Sequence, residues 1–179
     1  MRTTIPNDIG YLFGREIGQS WNDLETWEFV LNVFDKIYDN HIKWILEVGT
    51  WQGGMSFYLS QQAYAREKIF LTIDKERPLK PVPCFLQWNI NDGLPAFRYF
   101  NDNPGIVFCD NGDKPKEVNI VKDLIHRESI IAVHDLTIEF NERDIPPEYR
   151  RFHSNANTIF LARNDFLNKL EAEGFFIST

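Results

Sequence analysis

The run ILEVGTWQGG, residues 45 to 54, constrains this chain most: an apolar stretch breaks into a loop with Gly49, Gly53 and Gly54, and a helical pattern follows. A strand, a glycine loop and a helix in succession open a βα unit, and glycines at that point let backbone amides come close to a ligand. Apolar runs at Trp44 to Val48, Ile69 to Ile73, Cys84 to Gln87, Ile106 to Cys109 and Ile130 to Val133 are each too short for a buried helix and read as strands. Between several of them, helical spacing recurs at Met55, Tyr58, Leu59 and Ala63, and again at Val118, Val121, Leu124 and Ile125. This alternation predicts an α/β fold, Rossmann-like and doubly wound, with a mostly parallel sheet and helices on both faces.

The flanks are read with the same rules. Leu24, Trp27, Val30, Leu31, Phe34, Ile37 and Tyr38 predict an amphipathic helix within an N-terminal segment, residues 1–40. The stretch KERPLKPVP, residues 75 to 83, has three prolines and predicts an extended crossover. Residues 137–157 are polar, include Pro146 and Pro147, and predict a long loop or lid. A helix around Asp165 to Glu173 stops at Gly174, with a short strand at Phe175 to Ser178 after it. TIFLA, Thr158 to Ala162, reads as an additional strand or as the start of that helix. Six strands are placed in this way, and the expectation is one domain over residues 1–179 with a sheet shortened at the C-terminus.

A chain of 179 residues, 43% hydrophobic and 15% aromatic, can bury a substantial single core. A net charge of −7 argues against a nucleic-acid or anionic-membrane surface and favours a small-molecule partner. Cys84 and Cys109 lack metal-ligand spacing and are expected as reduced, buried thiols. The N-terminus lacks the pattern of a secretory signal, and the expected compartment is the cytoplasm. Oligomeric state is left open.

The nucleotide is argued from charge. An acid on the order of 20 residues beyond the glycine loop accepts hydrogen bonds from a ribose, and Asp74 stands at that distance from Gly54. Glu47 would repel a pyrophosphate, and Trp51 stands where a dinucleotide fold places its second glycine. A carboxylate suits instead the cationic end of S-adenosylmethionine. The segment EVGTWQGGMS resembles the first motif of class I methyltransferases, in the branch with an aromatic residue between the glycines. FCDNGDKPKEV, residues 108 to 118, and IIAVHD, residues 130 to 135, are similar to the cephalosporin hydroxylase and rhamnosyl O-methyltransferase group. The resemblance runs from about Trp44 to Asp135.

It implies a cofactor site at Glu47, Gly49, Thr50, Trp51, Gly53 and Gly54, continued by Ser56, Asp74, Asp110 and, near the adenine, Asn91 and Asp92. In that group and the catechol-type enzymes, acids after the fourth and fifth strands hold a divalent cation, and Asp110 and Asp135 stand at those positions with His134 as a further ligand. Hard oxygen ligands suit magnesium, and a bound cation lowers the pKa of an acceptor hydroxyl. Asp113 is a third acid within reach by sequence. The candidates for proton removal are His134, whose ordinary pKa lies near neutrality, and Lys114. Tyr149, Arg150, Arg151 and His153 read first as the charged surface of a solvated loop and second as groups that reach a bound acceptor from the lid. The expected activity is metal-assisted O-methylation of a hydroxyl on a sugar or other small metabolite. The alternatives are a noncatalytic binding module for an adenosine ligand and a methyltransferase that uses no metal.

Overall fold

The apolar runs converge in the middle of one sheet. The computed structural model describes residues 11–12, 15–16, 21–36, 41–95, 97–136, 138–155 and 157–174. A small antiparallel pair, β1 (Tyr11–Leu12) and β2 (Arg15–Glu16), precedes α1 (Trp21–Lys36). There follow β3 (Trp44–Val48), α2 (Gly54–Ala65), β4 (Ile69–Asp74), β5 (Phe85–Gln87), α3 (Phe97–Asp102), β6 (Gly105–Cys109) and α4 (Lys114–Val121). β7 (Ile130–Val133), β8 (Tyr149–Ser154), β9 (Ile159–Arg163) and α5 (Asn164–Ala172) are the last elements among the described residues. Among the described residues the main sheet has seven strands in the order β5-β4-β3-β6-β7-β9-β8. The pairs from β5 to β7 are parallel, and β9 is antiparallel to both of its neighbours.

Helices cover both faces, which is why the inner strands read as unbroken apolar runs. Ile45, Ile106, Phe108, Ala132 and Phe160 face α1, α2 and α5, with Trp27 of α1 packed edge-on to Phe108 and Phe160 at 5.2 and 5.1 Å. Leu46, Val48, Val107, Ile131 and Leu161 face the other way, toward Phe100 of α3 and Val118 and Val121 of α4. Asp23, buried in the first turn of α1, accepts hydrogen bonds from Thr158 Oγ1 and Asn157 Nδ2, both at 3.2 Å. These bonds tie α1 to the turn between β8 and β9. Among the described residues no helix is long and apolar enough to cross a membrane.

Three expectations change. The sheet is not shortened: Tyr149–Ser154 and Ile159–Arg163 complete seven strands. TIFLA is therefore strand and not helix, and the expected lid at 137–157 contains an edge strand. A register shift between Arg151 and His153 disrupts the period-2 pattern there, so Tyr149 and Phe152 are both buried at a spacing that alternation does not give. Cys84 is exposed, whereas Cys109 is buried as expected, and both are free. The prolines do keep helix out of residues 75–84. Residues 37 and 38 of the leading helix and the closing strand expected at Phe175 to Ser178 lie outside the described residues.

Trp44 opens β3 opposite Gly105 of β6, and its indole Nε1 donates to Asn103 O at 2.8 Å. A Cβ at residue 105 would lie 2.0 Å from Trp44 Cδ2, so the ring occupies the space that glycine leaves. Gly105→Ala is expected to destabilise the fold by about 1–3 kcal/mol or more, as overpacking of a filled core does. Urea unfolding followed by tryptophan fluorescence would check this, and an unchanged midpoint would mean that the ring moves aside freely.

Candidate functional site

The loop after β3 is held open by its own backbone. Gly49, at φ +101°, donates its N–H to Ile73 O of β4 at 2.9 Å, while Val48 O accepts from the N–H of Asp110, the residue after β6, at 2.8 Å. A Cβ on Gly49 would lie 2.4 Å from Asp110 O. The glycine is thus required for the approach of two chain segments, whatever ligand the loop receives. Trp51 adopts φ +44° and Gly53 φ +79°, and Gly53 N donates to Thr50 O at 2.8 Å before α2 begins at Gly54. Trp51 is 55% exposed, an apolar ring standing at the surface of the loop.

Asp74, at the end of β4, pins this loop. Its Oδ2 accepts from Thr50 N at 2.9 Å and Trp51 N at 3.4 Å, and its Oδ1 accepts from Glu76 N at 3.0 Å. Glu47 is placed differently from the expectation of a carboxylate facing a ligand. It is 1% exposed, paired in register with Thr72, and takes a hydrogen bond from Ser56 of α2. Thr50 and Thr72 hydroxyls meet beside it at 2.7 Å. Burial outweighs the hydrogen bonds from Ser56 and Thr72 and raises Glu47 to about 8. It is a mostly protonated support beneath the loop at neutral pH, and Ser56 is its partner, not a surface group.

Gly49, Trp51 and Asp74 line one side of a cleft of about 790 Å³, and Asp110, Lys114, His134, Asp135 and Glu139 line the other. That volume lies within the range of small-molecule sites. Lys114 begins α4 yet its side chain is 3% exposed, with Nζ 3.2 Å from Asp110 Oδ1, 3.2 Å from Asp135 Oδ2 and 2.6 Å from Glu139 Oε2. His134 Nδ1 lies 3.3 Å from Asp110 Oδ1 and 3.3 Å from Asp135 Oδ1. Asp135 has φ +58°, in the left-handed region, and its carbonyl accepts from Ile138 N, Glu139 N and Phe140 N. That tight reversal carries Glu139 back over Lys114.

Burial lowers the pKa of His134, but hydrogen bonds and charge from Asp110 and Asp135 overcome it and raise the imidazole to about 9. Burial likewise opposes the charge on Lys114, and Asp110, Glu139 and Asp135 more than offset it, so the ammonium is held above its ordinary value. Asp135 is lowered to about 2, first by its hydrogen bond with His134 and also by the His134 and Lys114 charges. The expected near-neutral His134 is thus corrected: in this arrangement it keeps its proton at pH 7.

Ligand atoms of Asp110, His134 and Asp135 lie within 4.8 Å of one another, close enough for one ion to bridge. The two carboxylates supply the hard oxygens that suit magnesium or manganese, and His134 can ligate once it is neutral. The donor set fits a divalent cation provided that Lys114 yields its contacts. Asp113 takes no part, since it caps α4 by accepting from Lys116 N at 3.3 Å.

Asn91 lies in a neighbouring cavity of about 120 Å³ with Lys75 and Asn111, and its N–H and side chain both bond Asn89 Oδ1. Asp92 is exposed and lines neither cavity. The lid candidates lie elsewhere: Tyr149 is buried, Arg150 pairs with Glu171, Arg151 pairs with Glu142, and His153 packs beside Phe29. Glu139 is not evident from sequence, because the polar segment around it shows no sustained period; the reversal at Asp135 brings it in.

No family model and no curated protein matches the sequence. Among solved structures, the chain is similar to the cofactor-bound protein Rv0187 from MTB, with 13% identity, a TM-score of 0.55 and coverage of 82% of each chain. It is similar also to a protein assigned as an O-methyltransferase from Klebsiella pneumoniae, at 12% identity and a TM-score of 0.51, covering 82% of this chain and 81% of that one. The chain has the class I methyltransferase fold.

The buried Glu47 gives a stability test. The folded chain holds a proton that the unfolded chain releases near 4.5, so this group makes stability fall as pH rises from about 4.5 to about 8, and flat beyond. Glu47→Gln keeps an acceptor for Ser56 and removes the titration. Urea midpoints at pH 5 and pH 8.5 are expected to drop more for the unaltered chain than for E47Q; an equal drop would contradict the assignment.

Proposed function

We propose that the chain is an S-adenosylmethionine-dependent methyltransferase that methylates a hydroxyl on a sugar or other small metabolite with the assistance of a divalent cation. The observation that carries this is the meeting, in one cleft, of the glycine loop pinned by Asp74 with the Asp110, Lys114, His134 and Asp135 group. The fold adds support, since ligands of open parallel sheets bind beyond the carboxyl ends of the strands, where chain order reverses. Here that point lies between β3 and β6, which flank both halves of the cleft.

S-adenosylmethionine supplies, when bound, a methyl group activated on a sulfonium. The backbone of Gly49, Thr50, Trp51, Gly53 and Gly54 forms its cradle, Asp74 receives the ribose, Trp51 packs at the surface, and Glu47 and Ser56 brace the loop from below. Asn91 would approach the adenine from the neighbouring cavity, whereas Asp92, exposed and lining neither cavity, takes no part in that contact. Asp110, Asp135 and His134 would hold magnesium or another divalent cation, which would polarise the acceptor hydroxyl. Lys114 would carry positive charge beside that position and stabilise an ionised acceptor oxygen, while His134 ligates the ion only in its neutral form. The acceptor is a small molecule, not a nucleic acid or a membrane surface, in keeping with the net charge of −7, and the compartment is the cytoplasm.

Two measurements test this reading. Calorimetry is expected to detect binding of S-adenosylhomocysteine and a roughly 10- to 100-fold weaker affinity in Asp74→Ala, the size of a lost charged hydrogen bond. Failure to bind either S-adenosylmethionine or its demethylated product would sink the proposal. Labelled methyl transfer to a panel of sugars and catechols is expected in the unaltered chain, with Asp135→Asn losing transfer while retaining the cofactor product; binding without transfer to any acceptor would leave a binding module.

A further inference from the structure

A lysine at the first position of a helix ordinarily points to water, but Lys114 is turned inward. Its side chain is 3% exposed, and its ammonium meets carboxylates from three separate segments: Asp110 after β6, Asp135 after β7, and Glu139 on the reversal that follows. An ammonium has three donors, and three carboxylates receive them here. A buried charge is tolerated only with such partners. The same Asp110 Oδ1 also lies 3.3 Å from His134 Nδ1. The two carboxylates that would ligate an ion are therefore those that the ammonium already uses.

We propose that Lys114 is the built-in cation of this cluster, and that the Lys114 ammonium and a divalent ion exclude one another at Asp110 and Asp135. A magnesium ion needs oxygens at about 2.0–2.1 Å, which draws these carboxylates together over the point now held by Nζ. An ion entering the cluster displaces Lys114, and Glu139 is its remaining seat. Glu139 is suited to that, because its contact with Nζ is the shortest of the three at 2.6 Å and its side chain is 40% exposed, toward the rim and not the centre. Ion occupancy and the position of the lysine are then one coupled event. This deepens the cation part of the proposed function, yet it is read by ion binding alone, so it stands or falls separately from methyl transfer.

The test uses the full chain and Mn²⁺ as the only probe, with free ion followed by electron paramagnetic resonance. Lys114→Met is expected to bind Mn²⁺ more tightly than the unaltered chain by about tenfold or more, the effect of removing one close competing charge. Lys75→Met, which removes a cation lining the same cleft, controls for general electrostatics and is expected to change affinity by less than about threefold. Equal or weaker binding in Lys114→Met, an equal gain in Lys75→Met, or no binding in any of the three proteins would overturn exclusion. Removing Lys114 also leaves three carboxylates facing one another, so thermal melts of Lys114→Met and Lys114→Gln supply a second readout. Millimolar Mn²⁺ is expected to raise their midpoints more than that of the unaltered chain, by mass action on the folded state. Folding restored by Mn²⁺ in either variant supports the proposal; two variants that stay unfolded with Mn²⁺ present count against it.

Discussion

Two strand ends meet where Gly49 passes the backbone of Asp110 and Asn111, and the geometry of the cleft depends on that approach. The Cβ that any other residue would carry at position 49 falls 2.4 Å from Asp110 O and 2.9 Å from Asn111 N. Val48 O and Gly49 N face opposite neighbours, β6 and β4, so the chain divides its hydrogen bonds at the point where the loop departs. One side of that division leads to Thr50, Trp51 and Asp74, and the other to Asp110 and Lys114. A shift there would move both halves of the cleft relative to each other, which is why a single backbone contact governs the relation of cradle and charged cluster.

The charged cluster obeys a different constraint. Three carboxylates and two cationic side chains share one wall of the cleft, and the acids hold both cations charged against the burial that works to lower their pKa values. The left-handed Asp135 is part of the arrangement: a non-glycine residue at φ +58° is unfavourable in isolation, and it persists because its carbonyl anchors three successive N–H groups. The reversal that results places Glu139. Local backbone strain is thus exchanged for the third acid around Lys114.

What was legible in the sequence follows from which groups are covered. β3, β4, β6 and β7 were readable because both faces are buried, so apolar residues run without a break. β8 was not, because its edge position leaves Arg150 and Arg151 toward solvent and its register shift disturbs the alternation. Asp74 was legible from its distance to the glycine loop, and Asp110 and Asp135 from the motifs that resemble the O-methyltransferase group. The orientation of Glu47 was misread, although a signal existed. In β3 the residues alternate, so Glu47 shares a side with Ile45, which packs with α1 and α2, and this points the carboxyl toward Ser56 and away from the cleft. Pairwise charges were illegible for a simpler reason: the pKa of His134 depends on how near Asp110 and Asp135 lie, and no spacing along the chain states that distance.

Asp74 joins these two levels. It was expected as a ribose acceptor, but its oxygens already receive N–H groups from Thr50, Trp51 and Glu76. A carboxylate has about four lone-pair positions, so three backbone bonds leave room for further hydrogen bonding while they fix the loop in place. The acid therefore orders its own binding site before any ligand arrives, and the entropy of ordering the loop is met in folding and not in binding. The glycines make that loop possible, but it is the carboxylate across from them that selects one conformation from the many that glycines permit.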